Sequence, residues 1–453
     1  MRICVLALLF LAACAHGPKP FDVALPQGVP SIAYAVADHG RIVYEGAVGG
    51  TTPDTPYPLA SVTKPLVATA VMKLVQQGVI DLDQPAHRYA PDWIPPSHTY
   101  TVRQLLNHTS GLPTYATIRW SGEPSPPHDL AAMFQRYGFA AYPPGLVSEY
   151  SNLGYGLLGH IIAVQSGQSL ASYLDAQVFR PLGMRHTTMI ESGGAPPGAA
   201  HKYDLEGKPL PDTFNDTPGA GNVYASADDL ARFGMYALRN EQAMYSYVEP
   251  GALYPYYNSS KYGLGWYFRT TANGTRVVWH EGGMPGASSI VLLLPDRDIV
   301  AAVLINANDR NEVAQAVANK LVAAIDPSIQ PMTFDPTEGF TRYDAQPDYR
   351  GRWTGTVTID GKVLPCSFTF DSGGKITIAG PQEATFKALI NGDLLLGTFE
   401  GTLPGEDVKK EPGYVLLRLV RRGDTLNGTM IAYASPTGLR HLYPFAVRLE
   451  RER

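Results

Sequence analysis

Cysteine is scarce in this chain: three in 453 residues, at Cys4, Cys14 and Cys366. Such a count leaves no disulfide scaffold to build. No His-Glu-x-x-His spacing occurs either, so neither a metal nor another cofactor is expected. Charge is thin, with charged residues at 17%, a formal net charge of -5 and no basic block. Nucleic acid is therefore not an expected partner. Beyond the first residues no apolar run is long enough to cross a bilayer. A Gly-x-Ser-x-Gly elbow is also absent, which argues against an α/β-hydrolase.

Glycine and proline are plentiful instead, at 45 and 38 residues, beside an ordinary hydrophobic content of 45%. That combination implies a turn-rich fold rather than disorder. The length allows two or three domains with sizeable cores.

The first residues read as an export signal. Arg2 supplies the positive end, and Cys4 to Leu11 is an apolar core too short to span a bilayer. Leu11-Ala12-Ala13-Cys14 has the form of a bacterial lipobox, with cleavage before Cys14 and lipid on that cysteine. Ordinary cleavage after Ala15 is the alternative. The lipobox reading makes the protein an exported, periplasmic lipoprotein held to the membrane by its N-terminal anchor. Ala15 after the cysteine points to the outer membrane in a Gram-negative source. With Cys14 lipidated or removed, Cys366 has no partner for a disulfide.

One stretch organises the rest: Leu59-Ala60-Ser61-Val62-Thr63-Lys64-Pro65. The apolar run from Leu66 to Val75, stopped by Gly78, reads as a buried helix. Ser61 should sit at its N-terminus with Lys64 one turn on, along the same face. Free N–H groups and the positive helix end then lie where an oxyanion would form. A lysine there can exchange a proton with the serine, and in a dry site its pKa falls. Chance alone supplies roughly two Ser-x-x-Lys matches in a chain of this length. The second is Ser372-Gly373-Gly374-Lys375, which reads as a hairpin turn.

Two more words are candidates. Tyr150-Ser151-Asn152 puts a phenol and an amide on one side of an extended segment. The phenol can act as a base if a cation lowers its pKa, and the amide can hold Lys64 or a substrate carbonyl. Tyr256-Tyr257-Asn258 is a similar word. His280-Glu281-Gly282-Gly283 closes a strand whose backbone amides could serve an oxyanion and whose glycines let substrate lie close. Lys261-Tyr262-Gly263 competes for this third place.

In chain order, Ile32 to Val36 and Ile42 to Val48 read as a hairpin turning at Asp38-His39-Gly40. Helices are expected at Val102–Leu106, Leu130–Tyr137, Gly154–Gln165, Leu170–Val178, Ala227–Leu238 and Asn311–Ile325. Strands are expected at Thr275–Trp279, Ser288–Leu294 and Ile299–Ile305. The early hairpin and late strands should share one antiparallel sheet with helices on both faces and a helical insertion between. The fold class is thus α+β, followed by a small all-β barrel with hairpin signals at Asn391-Gly392 and Arg422-Gly423. The expected division is 1–13 signal peptide, 14–30 tether, 31–325 catalytic domain, 326–345 linker and 346–453 barrel. Substrate loops are placed at Tyr115 to His128 and Asn240 to Ser260.

Together these words resemble the serine penicillin-recognising hydrolases of the class C β-lactamase and DD-peptidase type. Leu105-Leu106-Asn107-His108-Thr109-Ser110-Gly111-Leu112-Pro113, Pro181-Leu182-Gly183-Met184, Gly221-Asn222-Val223-Tyr224-Ala225-Ser226 and Tyr262-Gly263-Leu264-Gly265-Trp266 carry the likeness over about Val29 to Ile325. The resemblance implies Ser61 as nucleophile, Lys64 and Tyr150 as base system, and Asn152 orienting Lys64 or substrate. It implies that His280 and Gly282 hold the third-motif strand, with N–H groups of Ser61 and Gly283 as oxyanion hole. Hydrolysis would pass through an acyl-enzyme on a small ester, an amide or a D-amino-acid peptide. A DD-carboxypeptidase, a weak β-lactamase or a non-catalytic binder of cell-wall fragments are the alternatives. His280 stands where β-lactamases usually have lysine, replacing a permanent cation by a titratable one. The helix that usually precedes the first strand is missing between Phe21 and Val29. The C-terminal part resembles, more weakly, the lipocalin-like barrels appended to some family members, on Tyr349-Arg350-Gly351-Arg352-Trp353-Thr354-Gly355.

Overall fold

The computed structural model describes residues 23–95, 97–121, 130–191, 193–254, 260–308, 310–332, 341–343, 346, 348–408, 413–433 and 441–452. The expected signal segment, Cys14, most of the tether and the Tyr256-Tyr257-Asn258 word lie outside these residues.

Strands β1 (Ile32–Asp38) and β2 (Arg41–Val48) form the expected hairpin. His39 and Gly40 turn it with φ of 48° and 76°, the left-handed pair that a two-residue hairpin loop needs. Helix α1 (Thr63–Gln76) follows a single 3-10 turn at Ala60–Val62, so Ser61 sits one step before the helix proper. Gly78, at φ 72°, ends it and donates its N–H to the Val75 carbonyl. Next come β3 (Ala116–Trp120), α2 (Asn152–Ser166), β4 (Thr213–Asn215) and α3 (Ala227–Asn240). The Ser226 side chain caps α3, accepting from the Asp229 N–H. Strands β5 (Lys261–Tyr262), β6 (Tyr267–Thr270), β7 (Arg276–Met284), β8 (Ala287–Leu294) and β9 (Ile299–Ile305) lead to α4 (Asn311–Ile325). Strand β7 runs past its expected end at Trp279 and carries His280 to Gly283 within it.

Seven strands pair antiparallel in the order β5-β6-β7-β8-β9-β1-β2. The central strand β9 is buried at every residue, as expected of a strand covered on both faces. Val300, Ala302 and Leu304 face one core, whereas Ala301, Val303 and Ile305 face the other. Helix α3 lies in the first core and α4 in the second. Gly234 lets α3 approach closely: a Cβ there would stand 2.5 Å from Val300 Cγ1. Among the described residues no helix is long and apolar enough to cross a membrane.

The C-terminal part is an antiparallel sheet whose strands follow one open path, a half-barrel. Its centre is β10 (Tyr414–Arg422), β11 (Thr425–Tyr433) and β12 (His441–Arg451). Gly392 and Gly423 both turn their hairpins at φ 58°, and Ser372 to Lys375 form the expected turn, closed by the Asp371 N–H on the Lys375 carbonyl at 3.1 Å.

Where a substrate loop is expected over 115–128, the structure makes a strand of Ala116–Trp120. It bridges two elements: Ile118 to Trp120 pair with β4, and Ala116 and Thr117 pair with Leu442 and His441 of β12. Its β-branched and aromatic residues suit a strand, but both partners are distant in sequence. The C-terminal sheet is thereby joined, by backbone hydrogen bonds, to the wall of the cavity described next.

Candidate active site

Ser61 is half-buried, and Ala60 before it holds a left-handed φ of 45°. For a residue with a side chain that conformation costs on the order of 1–3 kcal/mol and tends to occur at functional sites. Strand β7 passes beside this turn. A Cβ on Gly282 would come within 2.2 Å of the Leu59 carbonyl oxygen and 3.0 Å of the Ser61 nitrogen. Only glycine fits there. Ser289 on β8 donates to the same Leu59 carbonyl at 2.8 Å, which locks the turn to the sheet.

Lys64 is wholly buried. Its Nζ lies 3.1 Å from Ser61 Oγ and donates to the Ala220 carbonyl at 3.0 Å. It also stands 4.6 Å from the centre of the Tyr150 ring. Burial without a paired anion pushes Lys64 far below the usual lysine range. That shift favours loss of the proton, and the deprotonated amine has a lone pair to which the Ser61 hydroxyl can donate across the same contact.

Tyr150 is raised above the usual tyrosine range, chiefly by burial; the Ser61 side chain, its hydrogen-bond partner, lowers it in part, and Glu281 adds to the rise. This is the reverse of what a phenolate base requires. Burial thus favours the phenol form of Tyr150, against the expectation of a cation-lowered tyrosine.

The third word behaves differently from its sequence reading. His280 is buried, its Nδ1–H donates to the Glu281 carbonyl at 2.8 Å, and its Nε2 accepts from the Tyr262 hydroxyl at 2.9 Å. Burial, with Lys64 nearby, depresses it to about 3. It is thus a neutral supporting ring rather than a cation. Gly283, next on the strand, is exposed and lines the cavity with Ser61.

Asn152 lines the cavity as well. Its Nδ2 donates to the Tyr115 carbonyl at 3.0 Å, while its buried Oδ1 has no hydrogen-bond partner among the described residues. Among the hydrogen bonds described, Lys64 reaches the Ala220 carbonyl rather than Asn152. Of the two roles expected for Asn152, the substrate-facing one fits the geometry.

Several contributors were not selected by motif. His108, with a left-handed φ of 63°, accepts the Ser151 N–H at 3.2 Å and stacks near Tyr150 and Tyr262, with ring centres 4.4 and 4.5 Å away. It stays neutral, lowered by burial and then by Lys64 and His280. Its only sequence signal is its place in the Asn107-His108-Thr109-Ser110-Gly111 word. Tyr262, which competed for the third motif, instead supports His280. The Ala220 carbonyl had no side-chain signature to find.

The cavity over Ser61 has a volume of about 170 Å³. Its wall includes Thr114, Ala116, Ile118, Asn215, Met284 and Leu442 besides Tyr150, Asn152 and Gly283, and among the described residues no charged side chain lines it. Among the described residues no group of histidines, cysteines and carboxylates could hold a metal ion.

Comparison with known proteins places the chain in a family. A family model described as Beta-lactamase matches residues 22–324. Penicillin-binding protein 4* of Bacillus subtilis (strain 168) is 30% identical over 286 residues, covering 58% of this chain and 63% of that protein. The chain thus matches less than two thirds of that relative's length. The D-amino acid amidase of Ochrobactrum anthropi SV3, complexed with L-phenylalanine, superposes with a TM-score of 0.57 at 27% identity, over 66% of this chain and 94% of that one. SurE superposes with a TM-score of 0.64 at 24% identity over 94% of this chain and 95% of its own, a likeness of fold that takes in the C-terminal sheet.

Proposed function

This chain belongs to the β-lactamase family, and from that premise we propose that it forms an acyl-enzyme on Ser61 and hydrolyses small neutral esters or amides. The observation that carries the reading is the 3.1 Å contact between Ser61 Oγ and a buried Lys64 amine whose pKa burial lowers. Ser61 Oγ adds to the substrate carbonyl carbon while its proton passes to Lys64 Nζ. The oxyanion rests on the N–H groups of Ser61 and Gly283. The intermediate collapses, the bond to the leaving alcohol or amine breaks, and that group takes the proton from Lys64 by way of the Tyr150 hydroxyl. Water then adds to the acyl carbon as its proton passes through the Tyr150 hydroxyl to Lys64, and the bond to Ser61 breaks as Ser61 Oγ takes a proton back from Lys64, releasing the acid. Asn152 Oδ1, buried and unpartnered among the described residues, is free to accept an N–H of the substrate.

Neither His280 nor the other described residues of the wall offer a cation to a substrate carboxylate. That favours amides and esters over the DD-carboxypeptidase and β-lactamase alternatives. The test compares kcat/KM of the full-length protein on an N-acetyl D-amino acid amide and p-nitrophenyl acetate with that on a D-alanyl-D-alanine peptide and a penicillin. Neutral substrates should lead by about a hundredfold, in line with the cost of leaving a charge unpaired. Preference for the carboxylate-bearing pair would overturn the reading.

A further inference from the structure

We infer that Leu442, on the last strand of the C-terminal sheet, sets the size limit of the acyl group accepted at Ser61. The inference rests on the acyl-enzyme reading and adds to it the class of acyl donor: short and apolar. Leu442 is buried and shares the cavity of about 170 Å³ with Ser61. It lines the cavity together with Ala116, Ile118 and Met284.

Its position is built into the fold rather than left to a side-chain rotamer. Leu442 pairs with Ala116 and His441 with Thr117 across β12 and β3. Behind it Leu442 packs on Ile431 and Ala116, with Leu416 and Tyr433 against them. The same sheet grips the catalytic side a second time. Arg418 on β10 donates to the Thr114 hydroxyl at 2.8 Å and pairs with the buried Glu149 carboxylate. The Thr114 hydroxyl in turn lies 2.6 Å from the carbonyl of Tyr150. A wall held at both ends cannot swing aside to admit a larger group without breaking strand pairing or a buried ion pair.

The dimensions then define the donor. A cavity of about 170 Å³ is close to the roughly 150 Å³ that holds a benzene ring in an apolar protein interior. An acyl group of about six carbons fills it. Ala116, Ile118, Met284 and Leu442 reward apolar surface and give a charge nothing to bind.

The experiment uses the full-length chain and p-nitrophenyl esters of unbranched acids from two to ten carbons. The wild type should lose at least tenfold in kcat/KM beyond about six carbons, the scale expected when a pocket rejects excess methylenes. Leu442→Ala should move that fall to longer chains by two or more carbons. Leu442→Trp should move it to shorter ones. The ratio of long to short ester within one variant does not depend on how much of the preparation is active. Unshifted profiles in both variants would overturn the role of Leu442 alone. A wild type that neither turns over an ester nor reacts with a fluorophosphonate probe at Ser61 would overturn the acyl-enzyme reading, and this inference with it.

Discussion

At the scale of the residue, the account turns on Lys64. A wholly buried lysine near neutral rings is an expensive residue to keep. Its folded pKa lies well below the 10.5 of an exposed lysine because of burial. Below that folded value both states hold the proton and the full penalty applies. Between it and 10.5 the unfolded chain alone is protonated, so the penalty shrinks as pH rises and is gone above 10.5. Lys64→Met, similar in length and apolar, should therefore abolish turnover yet stabilise the fold by about 1–2 kcal/mol at pH 7, as other relieved active sites do. Urea unfolding at pH 7 and again near the lysine's normal range should show that gap narrowing with pH. For the wild type, the same depressed pKa predicts that kcat/KM rises with pH as Lys64 loses its proton. A Met variant less stable than wild type at neutral pH would mean the amine is charged and paired.

At the scale of the element, short-range pattern and long-range pairing part company. The hairpin at His39-Gly40, the buried helix ending at Gly78, the Ser226 cap and the helix Asn311–Ile325 all rest on neighbouring residues, and each was legible. The proximity of Ser61, Lys64 and Tyr150 was legible too, because two words in fixed order carry these residues. The protonation of that constellation was not, since it depends on burial by elements brought from elsewhere: a neutral His280 and a phenolic Tyr150 follow from packing, not from spacing. Strand β3 was missed for the same reason, for its partners on β4 and β12 lie far along the chain. In the Arg418 and Glu149 pair that reinforces this junction the carboxylate is buried and the guanidinium largely covered. Arg418→Met should cost about 3–5 kcal/mol, because it leaves an unpaired carboxylate inside. Adding Glu149→Gln should recover most of that loss in thermal unfolding. No recovery in the double variant would show that Arg418 acts through packing alone.

At the scale of the whole molecule, the two sheets are parts of one site. The seven-stranded sheet supplies Gly282 and Gly283, the helical insertion supplies Ser61, Lys64, Tyr150 and Asn152, and the C-terminal sheet supplies Leu442. Residues from near the start and near the end of the chain meet within one cavity, so the catalytic claim is best read on the intact protein. The most direct measurement is the intact mass of the full chain quenched during turnover of p-nitrophenyl acetate, repeated with Ser61→Ala. The account predicts one added acetyl group, mapped to Ser61, absent from the alanine variant and persisting longer in Tyr150→Phe. Turnover without any added mass, or an adduct retained in Ser61→Ala, would contradict it.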